Sequence, residues 1–532
     1  MNGLIMGLLY TVIAIAVFLT IFGILDKLGF LEKYGLGLSG PMLMWRTEKG
    51  KKLIDRIAEK KKFWENYGNL GLIIVSICMG LILFLVAWSA YLASSIPAEQ
   101  APSPQMVVGI PGVNPLIPIW YGIFALAVAI VFHEFSHGIL SRVADIKVKS
   151  LGLVFLVVPI GAFVEPDEEE MEELPKIKRD RIYAVGPTTN ILLAIVFALL
   201  FSSVFMASIA PREDGLIVNG ISPDSPADIA GLERGDELTY INGVKIDSPD
   251  QITDIQLDPG IRTSIRYLEG EEEKSGEIRT GLVVTSVSEG LPAEEAGLEK
   301  GDILISIDGE LVRNYEMFDS ILDTTDADQT VNITYMRQDN GDYDGNVTIP
   351  LTLTDKYEVY EENYPSQNKE EYRGKGYMGV SVAYLGFTGW DAEALPQMFS
   401  QPFKGAESVG DYFMSSMRYI SFPFMRLSPV PDDIASLYEV SGPLSVLPDG
   451  VFWVMGNGIY WVFWLNLMVG LFNALPAVPL DGGYVFSDGV SALVEKFGMK
   501  KEAEEKLISG ISYLVAFIIL GLLMWQLIGP RI

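Results

Sequence analysis

Long apolar stretches separated by short charged ones dominate the pattern along the chain. Runs long enough to cross a bilayer lie at about 4 to 25, 70 to 93, 118 to 140, 183 to 209, 451 to 475 and 509 to 528, which predicts six spanning helices. The first has no basic segment ahead of it and is longer than a signal core, so it reads as a retained span. A shorter stretch, LGLVFLVVPIGAFVEP at 151 to 166, is strand-like, holds Pro159 and Gly161, and is flanked by charge. Too short to cross, it reads as a hairpin that re-enters the membrane, or as a cytoplasmic hairpin that stays outside it. From Phe403 to Leu437, aromatics and methionines mix with Asp411, Arg418 and Arg426. That amphipathic stretch suits either the outer membrane face or packing on the segment before it.

Charge gives the pattern a sidedness. The densest basic stretch, RTEKGKKLIDRIAEKKK from Arg46, lies between the first two spans and is placed in the cytoplasm by the positive-inside rule. Lys147, Lys149, Lys176, Lys178, Arg179 and Arg181 then fall on the same side, and the two basic loops agree. The 532 residues carry a net charge of -29 with 49% hydrophobic residues. Much of that charge sits at 211 to 360, where 33 acidic residues face 11 basic ones. This segment is expected outside the cytoplasm, and its charge excludes nucleic acid as a partner. The single cysteine, Cys78, excludes a disulfide framework and a cysteine-based metal site.

The acidic segment repeats itself. GLIVNGISPDSPADIAGLERGDELTYINGVKI from Gly215 aligns without gaps on GLVVTSVSEGLPAEEAGLEKGDILISIDGELV from Gly281. Each copy predicts a strand, a short helix ending in Gly-Leu, a Gly-Asp turn, a second strand and a tight hairpin. The pair resembles tandem PDZ domains, placed at 212–280 and 281–385, which implies capture of extended peptide ends by strand addition, or else a role as inert spacers. The segment 386–450 is left as an amphipathic linker.

Only two histidines occur in the chain, and both lie in VFHEFSHGIL. His133, Glu134 and His137 form an H-E-x-x-H pattern on the third span, where four residues make just over one turn. Both imidazoles then share one face and can hold a zinc ion, with Glu134 beside them to act on a water. A catalytic zinc uses three protein ligands, and with no further histidine a carboxylate must serve. In FNALPAVPLDGGYVF, Asp481 is the best candidate, at a depth like that of the histidines. Pro476 and Pro479 break the helix there, and Gly482 with Gly483 are expected to permit a tight turn.

H-E-x-x-H in one span, N-x-x-P-x-x-x-L-D-G in a later one and PDZ-like modules between them resemble the site-2 protease family of intramembrane metalloproteases. The resemblance covers most of the chain from about 118 onward. It implies zinc held by His133, His137 and Asp481, with Glu134 as general base. It further implies substrate contact at Asn473 and at GAFVEP, through Gly161 and Phe163, where a re-entrant strand pairs with unwound substrate. VGPTTN, with Gly186, Pro187 and Asn190, and the stretch at Ser441, Gly442 and Pro443 are similar too. Two extra leading spans depart from the simplest members, and Asn466 does not match the spacing of a second family asparagine.

The fold class expected is a polytopic α-helical membrane protein of about six spans plus a re-entrant β-hairpin, with two extracytoplasmic α+β PDZ-like domains. Residues 1–93 form two leading helices and a basic loop, and 118–209 and 451–532 form the two parts of the catalytic core. The implied activity is zinc-dependent cleavage of single-pass membrane proteins within the lipid bilayer, near the cytoplasmic side. The alternative is a catalytically silent membrane receptor or scaffold that binds peptides through its PDZ modules.

Overall fold

The structure is a computed structural model describing residues 2–531 except 95–102, 108, 110, 157, 213–214, 249–250, 253–254, 256, 271, 340–341, 344, 364–367, 426, 429 and 499–500. Arg426 of the amphipathic stretch is therefore outside the described residues. The chain divides into two compact units, one formed by 1–201, 420–429 and 454–532, the other by 202–419 and 430–453.

Helices build the first unit: α1 (Asn2–Lys27), α2 (Lys51–Ala58), α3 (Lys61–Ala93), α4 (Ile119–Val143), α5 (Lys176–Leu200), α6 (Asp449–Asn473, whose first residues belong to the second unit), α7 (Asp481–Val494) and α8 (Lys501–Ile528). Five of them, α3, α4, α5, α6 and α8, are long and apolar enough to cross a membrane among the described residues. The sixth expected span falls in α1, a 26-residue helix with no charge between Leu4 and Leu25. Outward side chains such as Ile77, Phe84, Phe124, Leu199 and Phe517 are exposed, which suits a lipid surrounding. Inward faces carry small residues. A Cβ at Gly71 of α3 would lie 2.9 Å from the Thr188 hydroxyl of α5, so glycine there lets the two helices touch. Cys78 joins Val75, Ile82, Ala184 and Ile191 in the core beneath, where it acts as a small apolar side chain.

The hairpin foreseen at 151 to 166 exists and is larger than expected. Strands β3 (Val148–Leu156) and β4 (Val158–Pro166) pair antiparallel, with Leu151 opposite Val164 and Gly152 opposite Phe163. Two strands from the segment that runs into the basic loop, β1 (Leu36–Ser39) and β2 (Met42–Thr47), extend them to a four-stranded sheet in the order β1-β2-β3-β4. Thus β4 is an edge strand, and α4 packs against it.

Two repeats make the second unit, each with a five-stranded path. The first repeat uses β5 (Leu216–Ile221), β6 (Glu237–Ile241), β7 (Arg262–Glu269) and β8 (Glu272–Arg279). The second uses β9 (Leu282–Val287), β10 (Ile303–Ile307), β11 (Thr330–Met336) and β12 (Val347–Thr352). A hairpin of β13 (Val380–Tyr384) and β14 (Phe387–Asp391) then serves both repeats. β13 pairs with β9 while β14 pairs with β5, giving orders β12-β11-β10-β9-β13 and β8-β7-β6-β5-β14. A boundary drawn at 385 cuts this hairpin, because β14, inside the stretch read as a linker, completes the first repeat. Each repeat buries its own core: Leu216, Val218, Leu238, Ile265 and Phe387 in one, and Leu282, Val284, Leu304, Ile333 and Leu351 in the other.

Candidate metal centre

Helix α4 turns a narrow stripe of small residues inward, and it leads to a histidine. Ala125, Ala129 and His133 recur every fourth residue on its buried face, and the small alanines let neighbouring helices approach before the histidine is reached. His133 is 7% exposed, and its ring lies 4.9 Å from that of His137, centroid to centroid. Ile182 of α5 fixes the second imidazole: its carbonyl oxygen is 2.7 Å from His137 Nδ1. With Nδ1–H donating there, the Nε2 lone pair is free for a metal. His133 Nδ1 is buried with no hydrogen-bond partner among the described residues.

Asp481 arrives from the other end of the chain. α6 ends at Asn473, the segment 474–480 carries Pro476 and Pro479, and Asp481 opens α7. The expected tight turn at Gly482 and Gly483 is corrected here. Both glycines lie in the first turn of a helix, and neither has positive φ. What they supply is proximity, since a Cβ at Gly482 would sit 2.3 Å from the Ala474 carbonyl oxygen and one at Gly483 would sit 2.4 Å from the Val478 nitrogen. A carboxylate at a helix N-terminus is also favoured by the axial dipole.

The three predicted ligands meet. Asp481 Oδ2 lies 3.0 Å from His133 Nε2 and 3.4 Å from His137 Nε2. One donor atom from each lies within 4.8 Å of the others. Two imidazole nitrogens and one carboxylate oxygen form a donor set suited to zinc, which in catalytic sites would take water or substrate as a further ligand. Opposite them is Gly186 of α5. A Cβ there would come 2.4 Å from His137 Nε2 and 2.7 Å from His133 Nε2, so any side chain would invade the space where the donors converge. The motif VGPTTN contained this residue, but sequence alone gave it no place at the metal.

Glu134, half-buried, accepts a hydrogen bond from the Val164 backbone N–H of β4 at 3.1 Å. The edge strand and the carboxylate are thereby tied together. Val164 itself faces α4, for its Cγ1 would lie 3.1 Å from a Cβ at Gly138. Phe163, next along the pleat, points the other way. Its ring covers Gly152 and lies 6.0 Å from the Arg46 guanidinium, so its side chain is not brought to the metal site. Gly161 lies on the same strand opposite Val154, and a Cβ there would have no neighbour within 4 Å. Asn473 is the last residue of α6, and its amide nitrogen donates to the Val469 carbonyl at 3.1 Å. Asn190, one turn beyond Gly186, is fully buried with both amide atoms unpartnered among the described residues.

Comparison with known proteins gives a consistent picture. The sequence model of Peptidase family M50 matches residues 121–519. An uncharacterized protein of Methanocaldococcus jannaschii is 34% identical over 242 residues, which are 44% of this chain and 60% of that protein. Protease RseP of Yersinia pestis is 24% identical over 470 residues, 76% of this chain and 95% of the protease. Zinc metalloprotease RasP of Shouchella clausii is 30% identical over 142 residues, 26% of this chain and 31% of that enzyme.

Proposed function

The chain belongs to peptidase family M50, whose members are zinc-dependent metalloproteases, and we propose that it cleaves membrane-anchored proteins within their spanning segments. Zinc is held by His133, His137 and Asp481 in this reading, and Glu134 is the general base. The observation that carries it is the approach of Asp481 Oδ2 to both imidazole Nε2 atoms, from a residue more than 340 positions away in sequence.

Each neighbouring residue then has a task. Zinc, when bound, supplies Lewis acidity and a water acidic enough to react near neutral pH. Glu134 takes the proton and returns it to the leaving amine, and the Val164 N–H holds its carboxylate toward the edge of β4. A substrate helix hides its carbonyls in its own hydrogen bonds, so it must unwind before attack. Strand β4, with one edge unpaired in the sheet, offers replacement bonds to that unwound backbone, and Gly161 leaves room alongside it. Asn473 contributes a polar side chain for the substrate backbone at the end of α6. The basic residues flanking α4 and α5 support a site near the cytoplasmic face, and the acidity of 211 to 360 supports an extracytoplasmic location for the PDZ-like repeats, where they would receive peptide ends.

The test is reconstitution in liposomes with a single-pass model substrate. Wild type should cut it, and Glu134→Gln and Asp481→Asn should not. Cleavage persisting in both variants would sink the assignment and leave the receptor reading.

A further inference from the structure

Helix α5 donates no ligand, yet it meets both histidines and the helix that carries Asp481. Its partner along one face is α7, the helix that begins with Asp481. The two run antiparallel, and their contacts keep step. The Lys176 amine donates to the Ser491 hydroxyl at 2.7 Å, Arg179 meets Asp488, and Tyr183 stacks on Tyr484 with centroids 4.6 Å apart and planes 14° from parallel. One more step brings Gly186 to the imidazoles that Asp481 faces. Lys176, Arg179, Tyr183 and Gly186 are spaced 3-4-3, as are Asp481, Tyr484, Asp488 and Ser491. That is the spacing of a two-helix seam, here lined with polar and aromatic groups instead of leucines.

The firmest link is the middle one. Arg179 Nε donates to Asp488 Oδ2 at 2.9 Å and Nη2 donates to Oδ1 at 2.7 Å, a planar fork that sets orientation as well as distance. The side chains are 21% and 13% exposed, so water screens the pair weakly. Asp180 turns its carboxyl toward Asp488 as well, and its Oδ1 is buried without a partner among the described residues. Without Arg179, two carboxylates would face each other.

Asp481 needs such a lock. It follows the non-helical segment 474–480, and α7 packs chiefly on α5 and α8, much less on α4, which carries the histidines. We propose that Arg179 and Asp488 are positioning residues for the metal, their fork docking α7 onto α5 and so holding Asp481 against two imidazoles, one of which, His137, α5 also orients through Ile182. The inference rests on His133, His137 and Asp481 being the ligand set.

The test uses the full chain in detergent, with zinc retention measured against graded dipicolinate and the visible spectrum of the cobalt-substituted protein as a report on ligand geometry. Asp481→Ala comes first, and wild-type zinc affinity in that variant would overturn the ligand set itself. With Asp481 established, Arg179→Ala should weaken zinc retention by about 10- to 100-fold and alter the cobalt spectrum. Arg179→Lys, which keeps the charge but loses the fork, should fall between. Asp488→Asn should lose less than Arg179→Ala, because it also relieves Asp180. Exchanging the pair, Arg179→Asp with Asp488→Arg, should recover affinity to within about threefold of wild type. Lys61→Ala, which removes a surface pair with Asp145, should change nothing. Arg179→Ala with wild-type zinc affinity and an unaltered cobalt spectrum would overturn the proposal, as would a lowered melting temperature alone or an equal loss in Lys61→Ala. If Arg179→Ala does not fold, Asp488→Asn and the exchange decide: unchanged affinity in the first, or no recovery in the second, overturns it.

Discussion

The membrane unit and the repeat unit bury polar side chains to opposite ends. In the repeats one such contact is short-range and made twice: Asp236 accepts from the Glu233 N–H at 2.8 Å, and Asp302 accepts from the Glu299 N–H at 2.8 Å at the matching turn. In the membrane unit, side chains of α4 and α7 and backbone groups of α5 and β4 converge from distant parts of the chain on one place. A local polar contact fixes a turn, so it can be duplicated and its loss stays within one module. A converging set produces chemistry, and losing any member disables the whole.

That contrast is broken most directly at a ligand. Asp481→Ala should empty the site of zinc and lower cleavage by about 10^4-fold or more while the fold of the repeats persists, with metal content read by atomic emission. Glu134→Gln should cost about 10^2- to 10^4-fold in cleavage with zinc retained, since proton transfer is lost but no ligand is. Gly186→Ala puts a methyl group against both imidazoles and should reduce zinc affinity about 10- to 100-fold, read by chelator competition.

Smaller effects are expected in the repeats, and they should leave zinc untouched. Arg337 forks onto Asp302, which is 1% exposed, at 2.8 and 2.7 Å. Arg337→Ala should destabilise the second repeat by about 2–3 kcal/mol, at the low end for a broken buried pair because the arginine is partly solvated. Hydrogen exchange of that repeat's peptides in denaturant would show it. The first repeat has no such fork among the described residues, and burial raises the Asp236 carboxyl above its ordinary pKa. The unfolded chain then gives up this proton at lower pH than the folded one. Stability of the first repeat should therefore fall as pH rises from about 4 through the raised value, and Asp236→Asn should flatten that slope in the same exchange experiment.

Much of the site could be read without coordinates, because H-E-x-x-H is local and a helix turns its spacing directly into geometry. Asp481 was reachable by elimination once two histidines were known to be the only ones. The residues around them were not. Gly186, Ile182 and Arg179 act through distance to partners far off in sequence, and no period or motif marks a backbone carbonyl that orients an imidazole. The hairpin at 151 to 166 was visible as an apolar β-rich run, whereas β1 and β2 lie in a short segment that runs into the basic loop, and β2 pairs with a strand about a hundred residues later. Likewise the glycines after Asp481 looked like turn residues, since a sequence cannot distinguish a glycine chosen for φ from one chosen for closeness.

The shared hairpin of β13 and β14 also sets an order of assembly. The first repeat is translated first, but its β5 edge stays uncovered until residue 391 has emerged, by which time the second repeat is already made. A nascent chain interrupted between the two would hold an incomplete sheet with Leu216 and Val218 on an open edge, a surface prone to pairing with other chains. The repeat made second must therefore fold without waiting for the first, and premature termination inside it threatens both.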